Sequence, residues 1–132
     1  MSQDKGDRAY WHGESVTRKN STGSTLDAGK WVAPTGDETV AYADANAGRG
    51  DLVGVVQDSI DDGYDDTVHL HGAILARVDS GVTAGDELAA PDSSLADEDA
   101  GVAESGGSSG IYAVGDAVDD GDGNYYAPVL LR

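Results

Sequence analysis

The chain has 132 residues, which suits one domain, and sets 25 Asp plus Glu against eight Lys plus Arg, a net charge of −17. It has no cysteine, so disulfides and thiolate metal sites are excluded. No apolar run approaches the ~18 residues of a membrane span. Clustered bases that would grip phosphate are missing, so neither a membrane nor nucleic acid is an expected partner.

The acids run from Asp4 to Asp122, so they do not form a tail. Disorder is opposed by a hydrophobic content of 39% that alternates along the chain. Acid excess on this scale suits a saline host. In 1 M salt the Debye length falls to ~3 Å and repulsion between surface carboxylates is screened. The bases are concentrated early: Lys5, Arg8, Arg18, Lys19, Lys30 and Arg49 precede Asp51, and only Arg77 lies between Asp51 and Leu131.

Residues 1–25 are polar and charged, with one apolar island, Ala9-Tyr10-Trp11, and no helical or strand period. They read as an extended N-terminal arm. Its two aromatic rings either pack back onto the domain or anchor a partner, a role in which Trp and Tyr excel. The opening MSQDKGDRAYWHG lacks the apolar stretch of a secretory signal, so a cytoplasmic site of synthesis is expected.

From Thr25 onward the pattern is β. KWVAP, TVAYA, LVGVVQ, TVHLHG, AILARVD, ELAA, IYAVGDAV and YYAPVLL are short, rich in β-branched or aromatic residues, and separated by Gly-, Asp- and Ser-rich turns. Their spacing predicts an all-β fold, a small compact barrel or sandwich over residues 26–132. Ser93 to Asp99 offers at most one or two helical turns, and Ala100 to Gly110 reads as a flexible surface loop.

Several stretches invite a chemical reading. In DDGYDDTVHLHG, His69 and His71 are two apart, so a strand would put both rings on one face as a metal site requires. Two histidines do not complete a coordination sphere. The third histidine, His12, is in the arm, and Asp61, Asp62, Asp65 and Asp66 belong to an acidic turn expected to face solvent. The competing reading is a half-buried strand with Val68 and Leu70 inward. Asp120-Gly-Asp122-Gly-Asn124 begins like a calcium loop, but Tyr125 and Leu131 occupy the positions that need Gly and Glu, so it reads as a hairpin turn. Arg49-Gly50-Asp51 reads as a turn between strands. Asn20-Ser21-Thr22 is a formal glycosylation acceptor, relevant only to a secreted chain. No nucleophile motif, phosphate-binding loop or dinucleotide motif appears, so catalytic residues and cofactors are not expected.

Four small motifs occur in a particular order: Gly54 to Gln57, Val82 to Leu88 (VTAGDEL), Val114 to Ala117, and Val129 to Leu131. In the second, Gly85 supplies backbone freedom for a tight turn and Asp86 can accept turn N–H groups. This order resembles the capsid decoration, or cement, proteins of tailed phages and haloarchaeal tailed viruses, over roughly residues 25–132. The resemblance implies a β domain on the outer capsid surface of a virion, bound to the major capsid protein, stabilising the shell, and forming a homo-oligomer, often a trimer. It implies no catalytic residue. In that setting Tyr10 and Trp11 would form a capsid-binding arm. The rival readings are a metal-binding β-barrel enzyme using His69 and His71, and a halophilic surface or adhesion module.

Overall fold

The computed structural model describes residues 15–91 and 100–131. The described chain is all-β, as the sequence predicts, with a single 3-10 turn at Ala45–Ala47 as its helical element. Five strands close a barrel: β1 (Ser15–Asn20), β2 (Trp31–Pro34), β3 (Thr39–Tyr42), β4 (Gly54–Val56) and β5 (Asp65–His69), in the order β1-β3-β2-β4-β5. Closure comes from β1, which pairs parallel with β3 and antiparallel with β5, Ser15 opposite His69 and Lys19 opposite Asp65. Closing the sheet removes the exposed edges that invite aggregation.

A second sheet follows: β6 (Gly72–Arg77), β9 (Tyr112–Ala113), β10 (Val118–Asp119) and β11 (Tyr125–Leu131). β11 is its centre, pairing with β6, β9 and β10. A two-stranded ribbon of β7 (Leu88–Ala89) and β8 (Glu104–Ser105) completes the described strands.

The two sheets share a wall. Trp31-Val32-Ala33 in β2 and all of β4 are buried, a pattern that only strands covered on both faces show. Successive side chains leave opposite faces of a strand. Val32 and Val56 accordingly join the barrel core with Leu26, Val40, Ile60 and Val68, whereas Trp31 and Val55 join the larger core with Val78, Val82, Leu88, Val129 and Leu131. Burying such side chains contributes roughly 1.5–3 kcal/mol each.

Two expectations change. Within the arm expected over residues 1–25, Ser15–Asn20 is a stave of the barrel, because Val16 packs against the barrel core and Asn20 is wholly buried. Residues 1–14 lie outside the described residues. In the loop expected over Ala100 to Gly110, Val102 and Ala103 are buried, and β8 pairs with β7. Ala103 also bridges Val78. The helical turns considered for Ser93 to Asp99 lie wholly outside the described residues as well.

Candidate functional site

The two histidines part company. His69 is the last residue of β5, paired with Ser15 and Val55, while His71 sits exposed in the bend before β6. Val68 points into the barrel core as anticipated, and Leu70 packs against it from the bend. The left-handed backbone of Gly72 (φ +101) helps turn the chain from one sheet to the other. Among the described residues, no three His, Asp or Glu side chains gather as a metal would require. His12 lies outside them.

The acidic turns spend their carboxylates on the backbone. Asp119 Oδ1 accepts from the N–H groups of Gly121 (2.9 Å) and Gly123 (3.0 Å). Asp120 Oδ1 accepts from Asp122 (2.9 Å) and Asn124 (3.3 Å), and the Asp122 N–H in particular holds the Asp120 carboxyl below its ordinary value. This is hairpin chemistry, with Gly121 (φ +99) and Gly123 (φ +85) at the positions that need positive φ. Asp61 and Asp62 likewise tie their loop to the neighbouring one, accepting from Thr25 Oγ1 (3.1 Å) and from the Gly23 N–H (2.8 Å). Asp65 and Asp66 are in β5, opposite Lys19 and Arg18.

The formal glycosylation acceptor is a structural core residue. Asn20 donates to the carbonyls of Ser24 (2.6 Å) and Ile60 (2.7 Å) and accepts from the Thr22 N–H (3.0 Å) and hydroxyl (2.7 Å). Its amide is fully committed and fully buried, so no glycan can be attached to it in the folded chain. The Arg49-Gly50-Asp51 tripeptide is not itself a turn: Arg49 forms an antiparallel bridge with Asp44, exchanging backbone hydrogen bonds, its Nε donates to the Tyr42 carbonyl at 2.9 Å, and Gly50 and Asp51 continue as irregular chain.

The motifs separated in sequence meet in space. Gly85 is left-handed (φ +94), and Asp86 Oδ2 accepts from the Thr83 N–H at 2.9 Å. The Gly85 N–H donates to the Ala113 carbonyl at 2.8 Å, the Ala113 N–H to Asp86, the Ala117 N–H to Val82, and the Val114 N–H to Pro128. Asp116 Oδ1 accepts from the Ala84 N–H at 2.9 Å. The segments 82–88, 113–117 and 128–131 therefore form one hydrogen-bonded unit around the end of β11. Gly54 stands apart in the shared wall, where an added Cβ would lie 2.6 Å from Val68 and 2.7 Å from the His69 carbonyl.

An open cleft of about 330 Å³ lies between Gly50–Leu52, Leu88–Ala89 and Gly107–Ser109. Among the described residues that line it, Asp51 is the one carboxylate, and Ser109 Oγ donates to the Leu88 carbonyl at 2.6 Å.

A different surface was missed by sequence reasoning. The outward face of the second sheet exposes Leu75, Tyr112, Val114, Val118 and Leu130. The signal was present: AILAR, IYAV and YYAPVLL are apolar at both alternating positions, whereas an antiparallel sheet with one wet face normally alternates apolar and polar.

No protein-family model and no curated protein matches this chain. Among solved structures, the N base of the head fiber gp8.5 of bacteriophage phi29 is similar, with a TM-score of 0.59 over 90% of this chain and 93% of that one. Identity is 18%, so the likeness is one of fold: the all-β architecture, barrel and second sheet together, is one that a phage head protein also adopts.

Proposed function

We propose that this chain is a structural virion protein that decorates the outside of an icosahedral head shell of a tailed virus from a saline host, and stabilises that shell. The observation that carries the reading is the fold likeness to a phage head fiber base over nine-tenths of the chain. It is supported by the meeting of the VTAGDEL, Val114 to Ala117 and Val129 to Leu131 motifs in one unit. The acid excess suits brine, where screened carboxylates keep a particle surface hydrated and soluble.

In this reading the N-terminal segment, with Tyr10 and Trp11, grips the major capsid protein. The barrel and second sheet are the rigid body that it holds on the shell, with homo-oligomer contacts adding valency. No catalysis is assigned. Co-sedimentation with undecorated shells in molar salt tests the proposal. Saturable binding at a fixed ratio to capsid subunits is expected, and a failure to pellet with any shell overturns it.

A further inference from the structure

Within its strands, the positions of the second sheet that point away from the core carry no carboxylate. On β6 its outward positions are Ala73, Leu75 and Arg77, and on β11 Tyr126, Pro128 and Leu130. Cross-strand partners sit on the same face, so Tyr112 lies beside Leu130, and Val118 beside Tyr126. In a chain where 25 of 132 residues are acidic, a sheet face without one is covered by something that would not tolerate charge.

The size of the patch indicates what covers it. Exposures of 60% for Leu75, 65% for Val118, 57% for Val114 and 38% each for Tyr112 and Leu130 amount to roughly 500 Å² of apolar surface, near the top of the range for the largest patch on a monomer. A stable contact between separate molecules takes ~800 Å² on each side, more than this face offers a second copy. Two aromatic side chains bury about 150–250 Å² each, which matches the patch.

Two such side chains are tethered beside it. Ser15 is paired with His69, and three residues beyond His69 Gly72 opens β6 opposite Leu131. Ser15, the first described residue, therefore lies near the end of the sheet formed by Ala73 and Leu130, away from the acidic β10–β11 turn. Trp11 is four residues before Ser15, within ~14 Å of it at full extension, and Tyr10 one residue further. Residues 1–14 are nearly neutral, with Lys5 and Arg8 against Asp4, Asp7 and Glu14, so −1 of the chain's −17 resides there. A short tether also gives the rings a millimolar effective concentration at the face.

We propose that Tyr10 and Trp11 seat on the acid-free outer face of the second sheet, against Leu75, Pro128 and Leu130 of their own chain. The contact belongs to the free protein, and this inference does not depend on whether the chain binds a shell. Where it does bind, rings that grip capsid protein must first leave the sheet, so shell binding uncovers this face.

The test is acrylamide quenching of Trp11 in the full-length protein in molar salt, isolated as the difference between wild type and Trp11→Phe. Trp31, fully buried, reports whether each variant is folded. Protected Trp11 is expected in wild type, with quenching several-fold stronger in Leu75→Asp/Leu130→Asp and in Val118→Asp. Those substitutions fall at exposed positions, and Val118→Asp keeps the test open should the double variant fold poorly. Quenching of wild-type Trp11 as strong as that of a free indole overturns the proposal, as does protection that the face variants leave unchanged. Protection lost on dilution overturns the own-chain contact and assigns the rings to a second copy. Shell binding takes no part in any of these readings.

Discussion

The indole Nε1 of Trp31 donates to the carbonyl of Arg77 at 2.9 Å, joining a strand of the barrel to the last residue of β6. The same carbonyl accepts from the Ala103 N–H, and the Arg77 N–H donates to the Gly29 carbonyl at 2.8 Å. Arg77 then lays its guanidinium over the Tyr126 ring, 5.6 Å from the centroid. One residue thus ties barrel, second sheet and the 101–103 segment together, and Trp31 supplies the largest fully buried side chain at that junction. Trp31→Phe removes both the hydrogen bond and part of the core volume. A loss of about 2–4 kcal/mol is expected from urea unfolding in molar salt. An unchanged midpoint would mean that the junction is not held by the indole.

Gly29 sits at the same crossing. Its φ of +84 is left-handed, and an added Cβ would lie 2.8 Å from the Tyr126 ring. Gly63 has nearly the same φ, +87, with open space around it. Gly63→Ala should therefore cost only the conformational strain, about 1–2 kcal/mol. Gly29→Ala should cost that plus the displacement of Tyr126 from Arg77, about 2–4 kcal/mol. Equal losses in thermal melts of the two variants would show that Tyr126 moves aside freely.

The boundary of the N-terminal segment has a direct consequence. Removing residues 1–13 leaves every barrel stave in place, so the far-ultraviolet circular dichroism of a β protein and a cooperative melt should survive. Removing residues 1–25 deletes β1, exposes the edges of β3 and β5, and takes away Asn20, whose amide holds the Ser24 and Ile60 carbonyls. That chain should lose its cooperative transition. A cooperative melt from the longer deletion would contradict the closed barrel.

The physics of each element explains how far it could be read from sequence. Runs such as KWVAP and LVGVVQ announce strands buried on both faces, and the shared wall is where they lie. SVTRKN did not announce itself. Its inward positions are Val16, Arg18 and Asn20, and a buried polar residue looks exposed until its hydrogen-bond partners, forty residues away at Ile60, are known. In AGVAESGGSSG the Gly and Ser content masks the buried Val102 and Ala103, and Ala103 joins the larger core only because Val78 and Leu88 come to that core from outside the segment. The histidine pair looked like one face because alternation holds only within a strand, and β5 ends at His69. The VTAGDEL turn was legible because its chemistry is local: Gly85 needs positive φ, and Asp86 caps a residue three positions before it.

Salt and acid should act on this fold in opposite senses. At 0.1 M salt the Debye length is ~10 Å, so exposed carboxylates of a −17 chain repel one another across the surface. At 1 M it is ~3 Å and the repulsion is largely gone, so the melting temperature should climb steadily over that range. Acid also removes negative charge, but it takes the turn acceptors with it. Asp120 has a folded pKa lowered from 3.8, chiefly by the Asp122 N–H, so its contribution is present above 3.8 and lost as pH falls through the lower folded value. In molar salt, where repulsion is already screened, acidification below pH ~4 should therefore only destabilise. At low salt the same step should first relieve repulsion and then destabilise, giving a maximum in melting temperature against pH. Melts across a grid of NaCl and pH would show this. A melting temperature indifferent to salt at neutral pH would sink the assignment to brine, and a maximum that persists in molar salt would mean that the carboxylates interact at distances too short for ions to screen.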